Sequence, residues 1–216
     1  DSVARFTSGR LAGERTALFV EGTYMGSRTI TDVLISDGGE LHNASAGRSG
    51  ISQTVRSYPV YSEDIDGDGV TEIPSAIRLQ PQENGEEHWL FEWYRMDAAG
   101  NTQYCATTYH CYADGWFIFL PRDWQNSLTV SRSDGVSGER EVVFSLAGAD
   151  GQRDVFALCT LTGENRYDRA GDDGRQIITE SRSTVYAVRI YDSELSAEDL
   201  ANSFRFIRSE WLGSAM

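Results

Sequence analysis

With 216 residues, 40% of them hydrophobic, and five Trp, ten Tyr and nine Phe, the chain can fill a core, which excludes global disorder. Asp and Glu number 33 against 19 basic residues, every one an Arg, for a net charge of −14. That balance opposes nucleic acid and anionic membrane surfaces, and suits solubility and divalent cations. No run of eighteen apolar residues occurs, so no helical membrane span is expected.

In chain order, residues 1–40 read as short strands between Gly-rich turns. Ala17–Glu21 and Ile30–Ile35 are strand candidates, separated by Gly22 to Ser27 and followed by a hairpin turn at Asp37-Gly-Gly39. Residues 42–53 are small and polar and read as a loop. Thr54 to Tyr61 returns to strand, and Ile73 to Leu79 is another. Pro81 to Glu87 is the clearest linker, which places a domain boundary between residues 1–82 and 83–216. Beyond it, His88–Arg95, Thr102–Tyr112 and Trp116–Leu120 are strands, the last stopped by Pro121. Leu128–Arg132, Glu139–Leu146, Asp154–Thr162, Gln176–Glu180 and Thr184–Tyr191 follow, with Gly163 to Gly174 a loop. At the end, Ser196 and Asp199 form an S-x-x-D cap. Leu200, Phe204, Ile207 and Trp211 then predict one apolar stripe on a helix of about four turns, packed on the sheet.

The sharpest feature is D-x-D-G-D-G-x-x-E, with carboxylates at Asp64, Asp66, Asp68 and Glu72. Four carboxylates in nine residues repel unless water or a cation screens them. Gly67 and Gly69 let the backbone turn sharply, aiming alternate oxygens at one centre, as a hard cation such as Ca²⁺ requires. Asp64, Asp66, Asp68 and Glu72 are the expected side-chain ligands and the Val70 carbonyl a backbone ligand. An EF-hand is excluded: its twelfth position would be Ser75, and Pro74 and the flanking β-type residues oppose helices on either side. The loop is expected to join strands.

Catalytic constellations are absent from the sequence. There is no G-x-S-x-G, P-loop, GxGxxG or HExxH. His110 beside Cys111 is a poor Cys–His pair, because neighbours on a strand face opposite ways. Cys105 and Cys111 on one extended strand would lie roughly 20 Å apart, beyond the ~7 Å reach of a disulfide, so all three cysteines, Cys159 included, are expected as thiols. With no CxxC and only His42, His88 and His110, zinc is not expected. Glu86, Glu87 and Glu92 beside Trp89, Trp93 and Tyr94 are candidates for a sugar platform or a carboxylate pair. Asp168, Asp172 and Asp173 are a loose candidate for a second cation.

Ile30–Ile35, Gly39-Glu-Leu41 and Asp64–Ile73 resemble the FG-GAP/VCBS repeats of integrin-type β-propellers, across residues 15–80. The resemblance implies a Ca²⁺ loop between strands of a blade. A closed propeller needs at least four blades, so it also implies either further blades before Asp1 or a blade packed on the second domain. Asp114–Trp124 resembles the opening of PsbP-like domains, an antiparallel sheet covered by helices. Together the two resemblances imply an uncharacterised surface lipoprotein of Gram-positive bacteria.

The expected fold is thus mostly β with an α+β C-terminal part. A propeller-blade-like antiparallel segment precedes an antiparallel sheet covered by a C-terminal helix. The expected function is non-enzymatic extracellular binding or scaffolding, with a structural Ca²⁺ and a surface protein or carbohydrate as partner. Asp1 in place of Met reads as a processed or truncated start, compatible with removal of a secretion signal or lipid anchor. The competing class is a hydrolase of glycans or cell wall using paired carboxylates.

Overall fold

The computed structural model describes residues 2–47, 52–80, 86–135, 137–149 and 151–208. Fourteen strands, two short α-helices and one 3₁₀ helix (Arg122–Asn126) are described: β1 (Ser2–Arg10), β2 (Thr16–Tyr24), β3 (Arg28–Asp37), β4 (Glu40–Asn43), β5 (Glu72–Arg78), β6 (Trp89–Met96), β7 (Thr102–Cys111), β8 (Trp116–Leu120), β9 (Leu128–Asp134), β10 (Glu139–Gly148), β11 (Gly151–Thr162), α1 (Arg166–Gly171), β12 (Gln176–Ser181), β13 (Thr184–Ile190), α2 (Ala197–Ser203) and β14 (Phe204–Phe206). The fold is mostly β, as expected. Three antiparallel sheets run β1-β2-β3-β4, β12-β13-β11-β10-β9 and β14-β8-β7-β6-β5.

Two compact units form, and neither is one continuous stretch. The first comprises Asp1–Ile77, Phe91–Thr108 and Ile207–Met216; the second comprises Arg78–Leu90 and Tyr109–Phe206. A single division at 82/83 was expected instead; the linker residues 81–85 lie outside the described residues.

In the first unit, β2 and β3 alternate cleanly. Ala17, Phe19, Val33 and Ile35 turn inward and pack with Leu11, Ile73 and Met96. The same inner face carries a buried polar web. Glu21, fully buried, accepts from Thr31 Oγ1 (2.9 Å), from the Ser62 N–H (2.7 Å) and Oγ (3.0 Å), and from Arg56 Nη2 (3.2 Å). Arg56 also donates to the carbonyls of Val60 and Thr54. This web explains why Thr54–Tyr61 is not the strand expected. Its partners are mostly side chains rather than a ladder: the Thr54 hydroxyl, like that of the preceding Ser52, donates to the Thr31 carbonyl. Only Arg56 pairs its backbone with a strand, at Thr29, and Pro59 removes a donor.

In the second unit, Phe144 stacks on Phe156 at 4.4 Å between ring centroids and meets Tyr109 edge-on. Cys159, Leu161, Val185 and Ala187 pack with Ala170 of α1. That helix lies within the stretch expected to be loop. The Ser196–Asp199 capping box forms as read. The four-turn helix does not: α2 stops at Ser203, and Phe204–Phe206 pairs as a strand with Ile118, Phe117 and Trp116. Phe204 reaches Trp116 and Tyr186 from that strand, and aromatic alternation outweighs the 3.6-residue stripe. Trp211 lies outside the described residues.

Removing Glu21 leaves the Arg56 guanidinium buried without its carboxylate, while burial already pulls Arg56 down to about 10. Glu21→Ala is therefore expected to cost about 3–5 kcal/mol by urea denaturation; a loss below about 1 kcal/mol would show that the web is not a stabilising element.

Candidate metal centre

The acidic loop hangs from a backbone neck. The Glu63 N–H donates to the Glu72 carbonyl at 3.1 Å and the Glu72 N–H to the Glu63 carbonyl at 2.8 Å. Between them the carboxylates organise the turn. Asp64 accepts the Gly67 N–H on one oxygen (2.8 Å) and the Gly69 N–H on the other (2.9 Å). Asp66 accepts the Asp68 N–H at 3.2 Å and Asp68 the Val70 N–H at 2.8 Å. Gly67 and Gly69 have φ of 82° and 86°, which favours residues without a Cβ. At Gly69 a Cβ would also lie 2.2 Å from the Arg10 guanidinium, whose Nε donates to the Gly69 carbonyl at 3.0 Å.

One oxygen each of Asp64, Asp66 and Asp68 lies within 4.8 Å of the others. Two donors bound at about 2.4 Å to one ion are at most about 4.8 Å apart, so this spacing is compatible with one bridging cation. Val70, the expected backbone ligand, is half-buried. Glu72 is fully buried at the start of β5. Its Oε2 accepts the Ile65 N–H at 3.0 Å, and burial pushes its carboxyl up to about 7 against the pull of that bond and of Arg95.

Two residues at the site were not foreseen. Arg95, from β6, places Nη2 2.6 Å from Asp66 Oδ2 and 2.7 Å from Asp68 Oδ2, with Nε 3.0 Å from Glu72 Oε1. Cys105, from β7, donates from Sγ to Asp66 Oδ2 at 3.2 Å. Burial, then Asp66 and Glu72, push that thiol up to about 12, so it stays protonated at neutral pH. No local spacing announces either residue; strand pairing brings them in.

The other candidates separate. Cys105, Cys111 and Cys159 are all thiols, as expected. Burial drives His110 down to about 3 and Cys111 up to about 12, so no thiolate–imidazolium pair forms. Trp93 is core, with Nε1 on Thr108 Oγ1 at 2.8 Å, which removes it from any sugar platform. Glu92 is buried and accepts from the Tyr94 hydroxyl, while Glu87 pairs with Arg78 and Glu86 lies 3.6 Å from His88. Asp173 pairs with Arg189, and Asp168, Asp172 and Asp173 do not converge among the described residues.

No protein-family model, curated protein or solved structure matches this chain.

His110 sets a pH dependence. Its folded pKa lies below the 6.5 of a free imidazole, so as pH falls from about 6.5 toward 3 the unfolded chain takes up a proton that the native state refuses. Stability is therefore expected to fall through that window, with His110 contributing a slope of at most about 1.4 kcal/mol per pH unit. His110→Leu removes this component in denaturant titrations at pH 7 and pH 4.5; identical slopes in the two proteins would contradict it.

Proposed function

We propose that this protein is a non-enzymatic binding or scaffolding module of an extracellular surface, and that its 64–72 loop takes Ca²⁺ as a structural ion. One observation carries the metal reading: three carboxylates converge within 4.8 Å on a loop whose turns are set by its own N–H groups. Asp64, Asp66 and Asp68 would hold the ion, which supplies two positive charges and six to eight places for oxygen; Glu72, the expected fourth carboxylate, groups with Asp66 and Cys105, and the Val70 carbonyl remains the expected backbone ligand.

Arg95 supplies one charge to Asp66, Asp68 and Glu72. Ca²⁺ and the guanidinium therefore compete for the same oxygens, which weakens the site. A weak site still fills outside the cell, where extracellular modules operate at Kd of roughly 10⁻⁴–10⁻³ M; that supports the extracellular reading.

Binding is favoured over hydrolysis by the disposition of the acids. Glu21 and Asp32 border one cavity of the first unit. They stand at adjacent register rows on opposite sheet faces, with Glu21 sealed in its hydrogen bonds, so they do not form a carboxylate pair across a cleft. The partner expected for such a module is a surface protein or a carbohydrate.

Calcium at about tenfold its Kd would stabilise the native state by about 1.4 kcal/mol, raising the melting temperature by roughly 3–5 °C. Melts of EDTA-stripped protein with and without calcium check this. The Asp66→Ala/Asp68→Ala double variant should lose the response while remaining folded. A wild-type melting temperature indifferent to millimolar calcium would remove the metal reading.

A further inference from the structure

The outer face of the β1–β4 sheet carries a groove for which the metal loop has no use. On β2 and β3 the alternation that buries Phe19, Thr31 and Val33 turns Val20, Ile30 and Asp32 to the opposite side. The register sets Phe6 opposite Val20 and Val20 opposite Asp32, one row across three strands. Large apolar groups stand exposed on this sheet: Phe6 at 65%, Leu41 at 69% and Val3 at 56%. Val3 and Phe6 lie together on β1 beside the cavity, while Leu41 lies on the far edge strand opposite Ser36.

A cavity of about 390 Å³ opens here, bordered by Val3, Val20, Tyr24, Ile30, Asp32 and Asn43. Asp32 is held in place: Asn43 Nδ2 donates to its Oδ1 at 2.7 Å. The Asn43 amide is itself oriented by the Ser45 N–H (3.0 Å) and Oγ (2.7 Å), both donating to Asn43 Oδ1. Among the described residues bordering the cavity, the charged side chains are Asp32 and Glu21, and Glu21 is fully buried in the web of the inner face. The groove thus presents one positioned carboxylate in a mixed lining, where Val3, Val20 and Ile30 stand beside the hydroxyl residues Ser2, Thr23 and Ser52.

We propose that this groove receives a single Lys or Arg side chain from an extended segment of a partner polypeptide, with apolar residues flanking that base. The carboxylate selects a cation, and a charge-assisted hydrogen bond outweighs a neutral one. The exposed apolar groups extend past the cavity along the sheet, so the flanking residues of a polypeptide are accommodated where a small amine would leave them uncovered. Arg28 stands on the same face of β3, four residues before Asp32, and disfavours a second base nearby. The inference rests on the reading of the chain as a binding module and is independent of calcium.

Selection of a displayed random-peptide library on the whole protein, in EDTA and again in calcium, tests it. The expected winners carry one Lys or Arg between apolar residues. Their affinity should fall at least tenfold in Asp32→Asn and in Phe6→Ser, both surface changes whose melts should match wild type. Winners without a basic residue, or with affinity unchanged in Asp32→Asn, overturn the groove while leaving the binding-module reading in place. A library that yields no binder overturns the groove alone, because a carbohydrate partner would still satisfy the binding-module reading. The calcium response of the melts reports separately on the metal loop.

Discussion

Burial of Glu72 beside the other carboxylates of the 64–72 loop is the constraint on which the candidate site turns. Two such charges about 5 Å apart repel by roughly 3 kcal/mol at an effective dielectric of 20, and by under about 1 kcal/mol in water. Asp66 and Asp68 are exposed and sit toward the lower figure; Glu72 is fully buried and does not. Burial raises the Glu72 carboxyl to about 7 although a guanidinium touches it, so the desolvation of this group exceeds what its partners return. Arg95 offsets part of the repulsion with a single charge. A divalent cation offers more to the same oxygens.

The loop is held by the polar web of the inner sheet face. Glu21 accepts from Ser62, one residue before the neck. Arg5 of β1 joins the same structure, with Nη1 3.1 Å from Glu63 Oε1 and Nε 3.2 Å from Glu21 Oε2. The segment leading into the loop therefore has little ladder of its own and is kept in place by side chains. Such a neck fixes where the carboxylates begin, which lets three of them converge without a helix on either side. The price is a set of buried charges whose removal one at a time is costly.

The loop was legible in the sequence because its information is local: alternate acids and two glycines over nine residues. Most strands were legible for the same reason, in local β-type runs such as Ala17–Glu21 and Ile30–Ile35 bounded by Gly-rich turns. What came from afar was not. Arg95 is 23 positions from Glu72 and reaches it through strand pairing alone; Cys105 is 39 positions from Asp66. The C-terminal stripe misled because Leu200, Phe204 and Ile207 satisfy helical spacing while Phe204 and Phe206 also satisfy strand spacing. The partner strand β8 decided between them. Thr54–Tyr61 misled in the reverse sense: its β-type composition is used for side-chain hydrogen bonds into the web. β1 and α1 carry too little apolar periodicity to stand out, and both are set by their neighbours.

Calorimetric titration of calcium into EDTA-stripped wild type and Arg95→Gln bears most directly on the competition between an internal and an external cation. The expected result is one saturable site in both proteins, bound more tightly in Arg95→Gln because the guanidinium no longer holds Asp66, Asp68 and Glu72. Heats of dilution alone in both proteins, up to millimolar calcium, would contradict it and leave Arg95 as the loop's own permanent counterion.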